Sequence, residues 1–297
     1  MYLLIYTNNM YILIFILLIL LIILIYKKVN KKEHQGFTQD GMFSLKINGE
    51  IYDDFYTSVY DNIHKPQKYL NEEYAQMMEK LSINNNSVLL DIGTKTGHFL
   101  NLLNTKYIAH GLEQSRPMID HAKNMYTDLS IFHGNGLNSQ IFEKNAFDCI
   151  FLRDFIVYTI DDKLQLFGNC YYWLKPSGYL IVHLVNKYKY NPLVEIANHN
   201  TNPQKLVKQR ITKCNVINDD ITYNQETKFE DDNRVIIKEN FTDKMTYQTR
   251  QNELTLYMED KEKVEKMIMR CGFSAKALYK LNKDSEQFVY IFKKINF

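Results

Sequence analysis

The chain has 297 residues, 45% of them hydrophobic, and its 36 basic and 34 acidic side chains leave a net charge of +2. That length accommodates one large domain or two small ones, and the charge balance gives no basis for a nucleic-acid surface, so no nucleic-acid partner is expected. Four scattered cysteines, Cys149, Cys170, Cys214 and Cys271, make no C-x-x-C pair, so they read as free, mostly buried thiols in a reducing compartment rather than a zinc site or disulfide framework.

Residues 10–26 (MYILIFILLILLIILIY) are uninterrupted and apolar. At ~1.5 Å per residue they reach roughly 26 Å, near the short limit for a membrane span. No basic residue precedes the run and no small-x-small site follows it, so residues 1–26 are expected to be a retained transmembrane anchor rather than a cleaved signal. Lys27, Lys28, Lys31 and Lys32 come next, and the positive-inside rule then places the C-terminal domain of a single-pass protein in the cytosol. Residues 27–50, polar with Gly36, Gly41 and Gly49, read as a tether. A helical cap is expected over 51–83. Tyr52, Phe55, Tyr56 and Tyr60 suit one helical face, and Leu70, Tyr74, Met77, Met78 and Leu81 recur at three and four.

Strand and helix signals then alternate through residues 84–297. Strands are expected at "SVLLD", "YIAHGLE" (107–113), "LSIFHGN" (129–135), "FDCIFL" (147–152) and "YLIVHLV" (179–185). Ser115 is a good N-cap, with Pro117 in the first turn behind it. A helix over 161–174 would turn Leu164, Phe167, Cys170, Tyr171 and Leu174 inward. Residues 187–258 change character and read as an inserted antiparallel segment, with β-like "RVIIKENF" and "ELTLYM". A last helix ends at Gly272, and "AKALYKL" and "EQFVYIFKK" close the chain as strands. The expected class is therefore α/β: a Rossmann-like, doubly wound, mostly parallel seven-stranded sheet with an antiparallel terminal strand, plus the single N-terminal transmembrane helix.

Ligands of such sheets sit beyond the carboxyl ends of the strands. Asp91, Gly93 and Gly97 follow the first strand and Glu113 ends the second. Asn135 and Gly136 follow the third, Arg153 and Asp154 the fourth, and Asn186 the fifth. A carboxylate ending the second strand can take ribose hydroxyls, and glycines let backbone approach a ligand. The first turn, D-I-G-T-K-T-G, does not match G-x-G-x-x-G, so a nucleoside ligand without a polyphosphate is expected.

In these motifs residues 87–186 resemble the class I S-adenosylmethionine-dependent methyltransferases. The family's D-x-G-x-G-x-G turn stands here as D-I-G-T-K-T-G. "GLEQS", "GNG", the "FD" of the fourth strand and "LKPSG" follow in order. The resemblance implies S-adenosylmethionine as cofactor, Gly93 and Gly97 near its methionine part, Asp91 organising that loop or reaching the amino group through water, Glu113 on the ribose hydroxyls, Gln114 beside the adenine and Asn135 at the adenine amino group, with Thr94 and Gly136 also on the cofactor. Arg153, a further cofactor-binding candidate, and Asp154 lie where substrate would meet cofactor, with a local ion pair between them as the alternative. Lys95 replaces a motif glycine. Its ammonium would pair with the cofactor's carboxylate, lie in solvent, or obstruct the site, and a left-handed backbone there would favour a damaged loop.

Methyl transfer from an activated sulfonium needs positioning more than a catalytic triad. Candidate bases or orienting groups are Tyr56, Tyr60, Tyr158 and His183, each with a packing role as the alternative. The acceptor is read as a small molecule or, given an anchor close by, a lipid-like one. The rival reading is a catalytically silent fold acting as a binding or scaffold module. A protein methyltransferase lacks support because "LRDF" stands where N-P-P-Y would, and the first turn disfavours a dinucleotide oxidoreductase.

Overall fold

The computed structural model describes residues 18–19, 41–190, 213–217, 220–281 and 286–296. The chain divides into two units, 1–38 and 39–297. Of the first, only Leu18 and Ile19 are described. No helix among the described residues is long and apolar enough to cross a membrane, and the anchor expected at 10–26 otherwise lies outside them.

The second unit holds a seven-stranded sheet. Its strands are β2 (Val88–Ile92), β3 (Ile108–Glu113), β4 (Ser130–His133), β5 (Phe147–Leu152), β6 (Leu174–Val185), β11 (Phe273–Lys280) and β12 (Gln287–Lys294), in the order β11-β12-β6-β5-β2-β3-β4. The five strands from β6 to β4 run parallel, and β12 pairs antiparallel with both β6 and β11. Its two faces explain the continuous apolar runs, because alternate residues of a central strand serve different cores. Leu90, Ile150 and Val182 enter one core with Phe167 and Trp173, whereas Leu89, Phe151 and Ile181 enter the other with Leu100 and Ala122.

The flanking helices are α1 (Asp54–His64), α2 (Leu70–Glu79), α3 (His98–Asn104), α4 (Arg116–Met125), α5 (Ile156–Thr159), α6 (Lys163–Trp173) and α7 (Lys261–Arg270). Asp53 caps α1 by accepting from the Tyr56 N–H, and Ser115 caps α4 by accepting from Met118. Tyr52 lies before α1 rather than on its face. In α6 the buried set is Leu166, Phe167, Cys170 and Trp173, and the expected Leu164 is exposed. The helix starts later than its periodicity implied, and Leu174 belongs to β6. Cys149 and Cys170 are buried, Cys214 and Cys271 half-buried, and all four are free.

A second sheet covers one end of the first. It has the order β1-β10-β9-β8-β7, from β1 (Phe43–Ile47), β7 (Lys213–Ile217), β8 (Ile221–Phe229), β9 (Arg234–Asp243) and β10 (Thr249–Tyr257). β7 to β10 pair antiparallel, and β1 adds to β10 in parallel. Residues 43–51 therefore depart from the expected tether: the alternation in FSLKI makes an edge strand, and Asn48–Ile51 turns into the cap. "TKFEDDNR" straddles the end of β8, the turn and the start of β9. The covering sheet joins the body through Val235, Leu256 and Met258, which share a core with Leu152 and Tyr158.

Candidate functional site

A cavity of about 1140 Å³ opens beyond the carboxyl ends of β2, β3, β4 and β5. Gly93, Lys95, Glu113, Gln114, Asn135, Gly136, Arg153 and Asp154 line that side. Tyr52, Tyr56, Tyr60 and His64 of the cap face them, with Ile237, Glu239 and Leu254 of the covering sheet.

The first turn is built around β3. The Gly93 N–H donates to the Leu112 carbonyl at 2.8 Å, at a φ of +78° that favours glycine. Lys95 has a φ of +53°, the left-handed conformation that costs a non-glycine roughly 1–2 kcal/mol. Its N–H donates to Glu113 Oε2 at 2.9 Å. Its ammonium is held rather than loose in solvent: Nζ donates to the Asp154 carbonyl at 3.2 Å and sits 5.6 Å from the Tyr60 ring centre.

Glu113 is buried at the end of β3 and accepts three backbone N–H groups, from Lys95, Gln114 and Ser115, each at 2.9 Å. A carboxylate has about four acceptor positions, so one remains, on Oε2. Asn135 Oδ1 accepts from the Leu137 N–H at 3.0 Å and keeps a second lone pair. Arg153 is committed to its neighbours. Nη2 donates to Glu73 at 2.7 Å, lies 3.7 Å from Asp154, and the guanidinium stacks 4.0 Å over Phe99. Asp154 and Phe155 both have positive φ, a strained pair at the end of β5.

Three expected cofactor residues stand behind the wall. Asp91 is buried, and Thr94 donates from Oγ1 to the Asp91 carbonyl at 2.9 Å. Gly97 serves packing, because a Cβ there would meet Ala122 and Leu129 at 3.0 and 2.9 Å. Burial pushes the Asp91 carboxyl up to about 7, with the Arg153 charge pulling it back. Burial pushes Glu73 up to about 6. For Asp154 burial acts in the same sense, but the Arg153 and Lys95 charges outweigh it and hold the group at about 2.

The candidate bases separate. Tyr56 and Tyr60 line the cavity. Tyr158 does not: it is fully buried, and its hydroxyl accepts the Val185 N–H at 3.0 Å at the end of β6. His183 lines a small side chamber of about 70 Å³ together with Glu73, Arg153 and Gln287. Among the described residues its Nε2 has no hydrogen-bond partner, and burial lowers its pKa to about 4. Sequence reasoning missed Glu239. The signal was available: Val235, Ile237, Glu239 and Phe241 alternate along one strand, which puts a carboxylate on an otherwise apolar face.

This set of groups fits S-adenosylmethionine. Glu113 has one free acceptor for a hydroxyl and Asn135 one for an amino group. Lys95 offers a cation to a carboxylate, and Leu112, Leu137 and Ile156 offer apolar surface to a ring.

Residues 90–182 match the family model of a methyltransferase domain. The phosphoethanolamine N-methyltransferase of Plasmodium falciparum is 33% identical over 116 residues, which is 37% of this chain and 44% of that protein. The chain thus spans less than half the length of this curated relative. Among solved structures, an S-adenosylmethionine-dependent methyltransferase from Clostridium acetobutylicum superposes with a TM-score of 0.63 at 19% identity, covering 82% of this chain and 99% of that one. The S-adenosylmethionine-bound amino pentose methyltransferase CalS10 from Micromonospora echinaspora gives 0.56 at 14% identity, covering 82% and 98%. Residues 90–182 thus resemble a methyltransferase domain, and the chain shares the fold of these S-adenosylmethionine-dependent methyltransferase structures.

Proposed function

We propose that the protein binds S-adenosylmethionine and methylates a small-molecule acceptor. The observation that carries this is a cavity with the ends of four parallel strands on one side and the tyrosine-rich cap and covering sheet on the other. Its volume of about 1140 Å³ is at the upper end of small-molecule sites, which suits two ligands side by side. Glu113, Asn135, Gln114 and Lys95 would hold the cofactor. Its sulfonium supplies an already activated methyl group, which an acceptor lone pair takes as the sulfur–carbon electron pair returns to sulfur. The chain's part is to align the acceptor and exclude water, and the cap and covering sheet are built for that. The resemblance to a phosphoethanolamine N-methyltransferase favours a small, polar, nitrogen-bearing acceptor.

Isothermal titration with S-adenosylmethionine and S-adenosylhomocysteine tests this reading, which predicts saturable binding of both. Absence of binding by either would overturn it. One observation favours the rival, silent module: the left-handed Lys95 and its reach to Asp154. Lys95→Gly separates the two. It relieves the backbone strain but adds unfolded-state entropy, so stability should stay within about 1 kcal/mol of the wild type. An active enzyme binds cofactor with Lys95 in place. An obstructed one binds only after its replacement.

From the apolar run at residues 10–26 and the lysines after it, we also propose a single-pass anchor with the C-terminal domain in the cytosol. Retention in the membrane pellet after alkaline carbonate extraction is the expected result. Release into the supernatant would refute it.

A further inference from the structure

The inner face of the covering sheet carries a buried carboxylate, Glu239, among the apolar side chains Val235, Ile237, Leu254 and Leu256. Glu239 is 5% exposed and lines the cavity. Oε1 accepts from the hydroxyls of Tyr223 at 2.8 Å and Tyr56 at 3.1 Å, and Oε2 accepts from Asn252 Nδ2 at 3.2 Å. One of about four acceptor positions, on Oε2, remains open.

All three donors are neutral. None of the ion pairs among the described residues includes Glu239. Arg250 is near enough to act on it electrostatically, but its Nε goes to Asn252, its Nη1 to Asp53 and its Nη2 to the Ile51 carbonyl. A buried carboxylate without a counter-charge is costly, and burial pushes this carboxyl's pKa up. Tyr52, Tyr56 and Tyr60 line the same cavity as this carboxylate. Tyr52 and Tyr56 meet edge to face at 5.7 Å, and Tyr56 and Tyr60 at 5.9 Å. Aromatic faces attract a desolvated cation, and an open carboxylate position adds the opposite charge. An anionic group would be repelled here. A neutral hydroxyl would fill the open position but leave the charge unbalanced.

We propose that Glu239 together with Tyr52 and Tyr56 forms a subsite for a cationic amine, so that the acceptor belongs to the small amines. The assignment of this amine to the acceptor rests on the methyltransferase reading above. The test compares two probes of one shape, choline and its uncharged carbon analogue dimethylbutanol, titrated into the full chain with S-adenosylhomocysteine present. The wild type is expected to prefer choline by about tenfold or more. Glu239→Gln should shrink the preference to within about threefold, with the affinity for S-adenosylhomocysteine unchanged. If that variant does not fold, Tyr52 decides: Tyr52→Phe should keep the preference and Tyr52→Leu should lose most of it. A wild type without preference, Glu239→Gln with full preference, or Tyr52→Leu equal to Tyr52→Phe would overturn the subsite. A wild type that prefers choline yet binds no S-adenosylhomocysteine would leave the cation subsite standing and remove the methyltransferase reading instead.

Discussion

At about pH 8, replacing Asp91 with asparagine is expected to stabilise the ligand-free protein by about 3 kcal/mol. Asp91 is the penultimate residue of β2, 3% exposed, and burial pushes its carboxyl from 3.8 up to about 7. Every tenfold change in proton affinity corresponds to about 1.4 kcal/mol, and relaxation around the charged site takes back part of the total. The sign follows from proton counts. Between about pH 4 and 7 the folded chain keeps a proton at Asp91 that the unfolded chain has lost, so wild-type stability falls as pH rises through this window. Below about pH 4 both states hold the proton, and the variant should gain little. Above about pH 7 the folded carboxylate is charged and buried, and the gain should be constant. Urea denaturation of both proteins across this range checks it. A difference that does not grow with pH would show that Asp91 is solvated in the native state. If the carboxylate organises the cofactor loop, the more stable variant should also bind S-adenosylhomocysteine more weakly, a trade between stability and function.

Arg250→Met is expected to cost about 3–5 kcal/mol. Arg250 is 3% exposed on β10 and donates at 2.8 and 2.7 Å to both oxygens of Asp53. It also bonds the Ile51 carbonyl at 2.9 Å and Asn252 Oδ1 at 2.8 Å. Its loss leaves a buried carbonyl, a buried amide and the cap residue of α1 without their cation. Methionine keeps much of the packing over Phe55, so the loss reports on polar pairing. Adding Asp53→Asn should cost less in the Arg250→Met background than in the wild type, because the two charges act as one unit. Strict additivity in a double-mutant cycle would mean that the pair contributes nothing. Since Arg250 ties the cap to the covering sheet, the single variant should also weaken choline binding before it unfolds the body.

The parallel sheet was legible because its strands are short apolar runs, each closed by a turn with its own chemistry: Gly93 after β2, Ser115 after β3, Gly134 after β4. Glu113 was placed at the cavity because a carboxylate that closes the second strand lies at the carboxyl edge of the sheet. What was not legible depended on distance in sequence. β1 has five residues with mostly exposed side chains, and its partner lies on β10. Tyr158 looked like a base because it follows β5, but the short α5 turns it into the core, where its hydroxyl serves a β6 N–H. Gly97 looked like a ligand contact and is a helix-packing glycine. Glu239 is hidden in a polar stretch, although period two along β9 places it inward.

The pairing of β1 with β10 bears on how the protein is made. Phe43 lies opposite Thr249, about 200 residues further along the chain. Contacts of such separation form slowly, and during synthesis the second strand does not exist when the first emerges. The five parallel strands β2 to β6 can assemble from the first 185 residues, whereas the covering sheet waits for residue 257. A ribosome-bound chain that ends between these points would thus present an open cleft, and the chamber would gain its covering wall only afterwards. The alternation of exposed and half-buried positions in β1 lets that strand remain unpaired in water in the meantime.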